Sequence, residues 1–156
     1  MTRYYFFGDD LKDLEKEIDR LHQKLTKFRN EAVEILARRD RGLDTEATYN
    51  ALSAMYNVFD KQLNELSRVR NHAILATLPK TGEKRVCAGK NIVVKDLTIG
   101  KTLILNIRSY WIKYNDDNKV SYNAPLPDLL MGGKVGEIYE GIIGGARKKY
   151  KIKEIL

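Results

Sequence analysis

The chain has 156 residues, 43% apolar and 31% charged, a composition that fits a soluble globular protein of one domain or two small ones. No run approaches the roughly 18 consecutive apolar residues of a membrane span, and the single cysteine, Cys87, excludes an internal disulfide framework and any cysteine-based zinc site. The net charge of +7 is uneven: residues 1–75 carry 13 basic and 13 acidic side chains, and residues 76–156 carry 15 against 8.

That asymmetry predicts two modules, 1–75 and 76–156, the second facing either water or an acidic or polyanionic partner. Cys87 is expected as a small buried residue, which suits a reducing cytoplasm. No membrane partner is expected. The apolar start, Tyr4-Tyr5-Phe6-Phe7, is too short for a secretory h-region and runs straight into Gly8.

From residue 11 the apolar positions are Leu11, Leu14, Ile18, Leu21, Leu25, Phe28, Ala32 and Ile35, in alternating steps of three and four. This is the a/d seam of a heptad repeat, with Asp9 or Asp10 as N-cap. The run stops at Arg38-Arg39-Asp40-Arg41-Gly42-Leu43-Asp44, where glycine suits a turn and Asp44 can cap the next helix. A second seam follows through Leu52, Met55, Phe59, Leu66, Val69 and Ala73, with Gln62 as a polar seam position flanked by Leu63. The two runs predict an antiparallel coiled-coil hairpin over residues 9–73, about 30 residues per arm and so roughly 45 Å long. A helical dimerisation element, or half of a four-helix bundle, has the same seam; closure within one chain makes the protein a monomer.

After Pro79 the period changes. Asn91–Leu97 and Lys101–Ile107 read as strands, Tyr110 to Tyr114 precedes the polar turn Asn115 to Asn118, and Lys119–Tyr122 reads as a further strand. Pro125–Met131 has a helix-starting proline and ends at Gly132-Gly133. Lys134–Ile143 and Arg147–Ile155 are final strands split by Gly144-Gly145, the last one placing Tyr150, Ile152 and either Ile155 or Leu156 on one face. The fold class is α+β: the hairpin, then a small antiparallel sheet with one short helix.

Val120-Ser121-Tyr122-Asn123-Ala124-Pro125-Leu126-Pro127-Asp128-Leu129-Leu130-Met131-Gly132-Gly133-Lys134-Val135-Gly136-Glu137 resembles the C-terminal domain of the Gre family of bacterial transcript-cleavage and elongation factors. The family pattern is roughly Ile-Ser-x-x-Ser-Pro-Leu-x-x-x-Leu-x-Gly-x-x-Val-Gly-Asp, and Gly144-Gly145 with Tyr150-Lys151-Ile152 continues it. The order of modules, coiled coil then FKBP-like domain, agrees along nearly the whole chain. The resemblance implies a protein that is no enzyme itself. It implies docking on bacterial RNA polymerase at the secondary channel through Tyr122, Asn123, Pro125 and Leu126, and a hairpin reaching the active centre. There, tip acids would help hold the second Mg²⁺, shared with the polymerase and not bound by the factor alone, so that backtracked RNA is cleaved.

The family tip reads Gly-Asp-Leu-x-Glu-Asn, whereas this chain has Gly42-Leu43-Asp44-Thr45-Glu46-Ala47. The implied metal ligands are therefore Asp44 with Glu46, or Asp44 with Asp40. Asp44 as a cap and Glu46 on the helix dipole account for the same residues without a metal. Arg38, Arg39 and Arg41 could meet the phosphates of the nascent RNA 3′ end or simply be solvated. Trp111, between Tyr110 and Tyr114, could stack on a base or belong to the core. His22 and His72 read as surface residues. A Gre-like channel-binding regulator without cleavage activity, an FKBP-like prolyl isomerase or chaperone, and a plain coiled-coil interaction protein remain alternatives.

Overall fold

Strand β1 (Tyr4–Phe6) leads into helix α1 (Asp10–Ala37), helix α2 (Asp44–Asn71) and strand β2 (Ala73–Leu75). Strands β3 (Asn91–Asp96), β4 (Thr102–Arg108) and β5 (Lys119–Ser121), helix α3 (Pro125–Leu130), and strands β6 (Ile138–Ile143) and β7 (Ala146–Ile155) complete the α+β order. The computed structural model describes residues 2–38, 44–80, 82–113 and 118–156; the side chains of Asp44 and Thr45 lie outside it as well. Among the described residues no helix is long and apolar enough to cross a membrane.

Residues 14–72 pack as one unit, and residues 1–13 with 73–156 as the other. In the first, each helix has 28 residues, roughly 42 Å at about 1.5 Å per residue. The pairing is antiparallel: Arg70 Nη2 meets Glu15 Oε1 at 3.1 Å, while Phe28 and Phe59 stack with centroids 5.6 Å apart. Lys24 lies over the Phe59 ring, 4.5 Å from its centroid, its charge drawn by the ring's negative face. On α1 the expected seam holds, with Leu14, Leu21 and Leu25 buried and Ile18, Phe28, Ala32 and Ile35 half-buried.

On α2 the seam differs from the expected one. Leu63 is 6% exposed and Gln62 is exposed, while Met55 is 47% exposed beside a half-buried Tyr56. The buried stripe runs through Tyr49, Leu52, Tyr56, Phe59, Leu63, Leu66 and Val69. Tyr56 in place of Met55 and Leu63 in place of Gln62 face inward, each one residue beyond the expected seam position.

The short pair β1/β2 is parallel, with Tyr4 opposite Ala73 and Phe6 opposite Leu75. Parallel neighbours need a long crossover, and the helical hairpin is that crossover. Tyr4, Phe6 and Phe7 are buried. Phe7 N–H donates to Ser109 Oγ (2.8 Å), and Ser109 Oγ–H donates to Asp10 Oδ2 (2.6 Å), which also receives Arg108 Nε at 3.4 Å. Asp10 therefore takes its bonds from the end of β4.

The larger sheet has the order β5-β4-β3-β7-β6. It is antiparallel-rich, as expected, with one parallel pair, β4/β5. Its core is Val86, Ile92, Val94, Ile107, Leu130, Tyr150 and Ile152. A register shift between Val93 and Val94, where Glu154 and Ile152 lie opposite, inserts an extra β7 residue. The bulge moves the inward face from residue 154 to Ile155, which packs on the core and leaves Leu156 outside. Cys87, expected buried, is half-buried, and burial raises its thiol pKa. Trp111 is half-buried; Tyr110 packs on Tyr4 with centroids 4.3 Å apart, so this aromatic run serves the fold. Tyr114 lies outside the described residues.

Two stability outcomes follow from these contacts. Leu63→Ala should cost about 2–5 kcal/mol in urea unfolding, whereas Gln62→Ala should stay within about 0.5 kcal/mol; equal effects would reject this seam. Ser109→Ala strips an acceptor from the Phe7 N–H and a donor from Asp10, and should cost about 1–3 kcal/mol. No loss in that variant would show the cluster to be energetically idle.

Candidate functional site

The segment that carries the resemblance forms one continuous structure after β5. Ser121 Oγ–H donates to Tyr110 O at 2.7 Å and Ser121 Oγ accepts the Asn123 N–H at 3.2 Å, which turns the chain out of the strand. Ala124 is the N-cap of α3, extended at φ −71° and ψ 151°, with no side-chain cap bond. Pro125 follows at the first helical turn, where its missing N–H costs nothing.

Burial then sorts the four expected docking residues. Asn123 and Pro125 are exposed. Tyr122 and Leu126 pack against the core, Leu126 beside the fully buried Leu130. Tyr122 also takes the Tyr5 N–H on its hydroxyl (3.3 Å) and sits near the Tyr5 and Tyr110 rings, with centroids 6.5 and 6.2 Å away. Burial pushes its pKa above the ordinary 10.0. Of the four, Asn123 and Pro125 are thus the pair open to solvent.

The glycines that end the motif have packing reasons. A Cβ on Gly133 would stand 2.6 Å from Ile152 Cδ1 and 2.9 Å from Leu130 O, so only hydrogen fits. Gly141 on β6 similarly admits Leu129 of α3, which would lie 3.0 Å from a Cβ. Glu137 accepts the Lys134 N–H (2.9 Å) and the Tyr139 O–H (2.7 Å), bonds that hold its carboxyl below the usual range. Tyr139, donating to that carboxylate, is raised.

The expected tip residues Arg39, Asp40 and Arg41 lie outside the described residues, as does the Asp44 side chain; the Asp44 backbone opens α2. Glu46, in the first turn, is exposed. Arg38 is exposed and reaches Glu34 Oε2 at 4.0 Å. Among the described residues no three His, Cys, Asp or Glu side chains converge as metal ligands. His22 is exposed; His72 is half-buried, with its Nδ1 2.9 Å from Arg68 O.

No family model matches the chain. It is 27% identical over 156 residues to Transcription elongation factor GreA of Nautilia profundicola, covering 99% of this chain and 92% of that one. The protein of the same name from Flavobacterium johnsoniae is 25% identical, covering 97% and 95%. These matches support membership of the Gre family. Among solved structures, the GreA factor homolog 1 protein of Thermus thermophilus is 15% identical with 99% of each chain covered and a TM-score of 0.46. A GreA/GreB factor from Nitrosomonas europaea gives 16% and 0.39.

Where the Gre pattern has serine before proline, this chain has Ala124, and α3 is left without a side-chain cap. Ala124→Ser should restore a cap and raise stability by about 0.5–1 kcal/mol in thermal unfolding. An unchanged or lower melting temperature would mean that the Asn123–Pro125 corner cannot place the hydroxyl on the free N–H groups.

Proposed function

We propose that the protein is a Gre-type transcription elongation factor that binds bacterial RNA polymerase at its secondary channel. In this reading it stimulates cleavage of backtracked RNA by the polymerase's own active site and is no catalyst itself. The observation that carries it is the end-to-end match to proteins named Transcription elongation factor GreA, at 99% and 97% of this chain. A two-helix hairpin supports it: a buried reaction centre is reached only by something long, stiff and thin, and α1 with α2 is such an element.

Residues 76–156, read as an FKBP-like domain, supply the polymerase contact through Tyr122, Asn123, Pro125 and Leu126. The exposed pair Asn123 and Pro125 touches the partner, and the packed pair Tyr122 and Leu126 fixes their position. At the tip Asp44, assisted by Glu46 or Asp40, offers carboxylate oxygens, the donors a hard cation prefers. Mg²⁺ shared with the polymerase supplies the activation of water and the stabilisation of the leaving oxygen. Arg38, Arg39 and Arg41 face the phosphates near the RNA 3′ end. The working unit is a monomer, its seam closed within one chain.

A specific observation keeps a second reading in play. No acid directly follows Gly42, so the usual tip pair is displaced, and a factor of this kind could occupy the channel without promoting cleavage. A backtracked elongation complex mixed with the full chain separates the two, read as shortening of RNA 3′ ends. Cleavage should appear, should fall at least about tenfold with Asp44→Asn, and should recover partly with added Mg²⁺ while polymerase binding holds. Asn123→Ala with Pro125→Ala should instead weaken binding. Binding without cleavage by the parent establishes the channel-occupying reading, and no binding at all overturns both.

A further inference from the structure

Lys90 is 7% exposed, yet among the described residues its side chain has no hydrogen bond or ion pair. Among the described residues no buried side-chain nitrogen or oxygen is left without a partner. A lysine so placed packs its four-carbon stem and keeps its ammonium toward the small part that water still reaches. Lys90 lines an open groove of about 540 Å³ together with Glu83, Lys84, Lys134, Val135 and Leu156.

Backbone bonds build this groove. Val86 N–H donates to Gly133 O and Gly132 N–H to Val86 O, both at 2.8 Å, and Arg85 bridges Lys134, so the backbone segments that carry Lys84 and Lys134 run side by side. Ile107 N–H donates to Lys90 O (2.9 Å) and Leu156 N–H to Asn91 O (2.8 Å), fixing the floor and the end of β7. Three lysines and one glutamate line the groove. Beside them Val135 and Leu156 are 56% and 63% exposed, an apolar shelf next to the charge.

We infer that this groove binds an acidic, partly apolar peptide segment of a protein partner. A carboxylate sits on Lys90, flanked by Lys84 and Lys134, and a neighbouring apolar side chain lies on Val135 and Leu156. The charge pattern selects an anion, because three lysines line the groove against the single carboxylate of Glu83. The wall chemistry selects a peptide over a nucleic acid: no arginine fork and no aromatic stacking face lines the groove. This site is separate from the Asn123–Pro125 corner and does not rest on the polymerase reading.

The test uses the full chain and a short fluorescent peptide of alternating aspartate and leucine, followed by anisotropy. Lys90→Met keeps the packed stem and deletes the charge. It should weaken binding about tenfold or more without lowering the melting temperature. Lys84→Ala with Lys134→Ala should weaken binding similarly, and Lys101→Ala, an exposed lysine away from the groove, should change it less than about twofold. A serine–leucine peptide should not bind. The proposal falls if the parent ignores the acidic peptide, if Lys101→Ala weakens binding as much as Lys90→Met, or if a single-stranded RNA binds more tightly through the same lysines. Should Lys90→Met fail to fold, the Lys84 and Lys134 double variant decides. A parent that binds the peptide but not the polymerase overturns only the elongation-factor reading.

Discussion

The buried Asp10 carboxylate is the constraint on which the first part of the chain depends. It lies where α1 begins, and its donors, Ser109 and Arg108, come from the end of β4 nearly a hundred residues later. A buried charge is tolerable only when its hydrogen bonds are complete. Ser109 serves twice, accepting from Phe7 and donating to Asp10, so one hydroxyl joins the entry of α1 to the sheet. Further backbone bonds, from Tyr110 to Tyr5 and from Ala76 to Phe6, hold β1 in place. Without these contacts a three-residue parallel pair would not repay the entropy of closing a loop as long as the hairpin. The same strand brings Tyr5 to Tyr122, so β1 also supports the base of the Asn123–Pro125 corner.

What the sequence made legible, and what it did not, divides by the range of the interactions. Strands β3, β4, β6 and β7 and helix α3 show local periodicity and turn residues, and they fall close to where those signals place them. The α1 seam reads directly because leucine and isoleucine carry most of it. Strand β1 was invisible: Tyr4-Tyr5-Phe6 has no local partner, and its mate β2 comes only after two helices. The parallel direction of β4/β5 and the bulge opposite Val93 and Val94 are likewise set by tertiary pairing.

The candidate sites divide in the same way. The Asn123–Pro125 corner is contiguous in sequence, so a motif could expose it, although only burial separates Asn123 and Pro125 from Tyr122 and Leu126. The tip was legible as a list of acids and arginines around Gly42, with their chemistry but not their geometry. The Lys90 groove gave no signal, since Lys84, Lys90, Lys134 and Leu156 are brought together by the bridge at Arg85 and by the end of β7. The one hint was the excess of lysine and arginine in residues 76–156. Part of that excess is neutralised locally, as where Arg147 and Lys149 both reach Glu140 at 3.1 and 3.3 Å. Exposed pairs of that kind contribute little to stability. Among the described residues Lys90 has no such ion pair.

The hairpin itself is unevenly packed, and the cause lies in the sizes of its seam residues. At the end carrying Leu14, Leu21, Leu25, Leu63, Leu66 and Val69, paired aliphatic side chains close the interface completely. Farther along, Ala32 and Ser53 are too small to fill the space between the helices. An open groove of about 300 Å³ remains, lined by Phe28, Ala32, Leu36, Tyr49, Leu52 and Tyr56. Two helices have no third layer to cover such a gap, so Val33, Leu36 and Val58 stay in water. Local stability follows buried apolar contact, so the hairpin is firmest at its Leu14–Val69 end and softest toward the turn. Thickening the soft end with larger core residues would require a broader seam or a further helix. A two-helix element that stays thin forgoes both, and the weak packing toward Glu46 is the physical consequence.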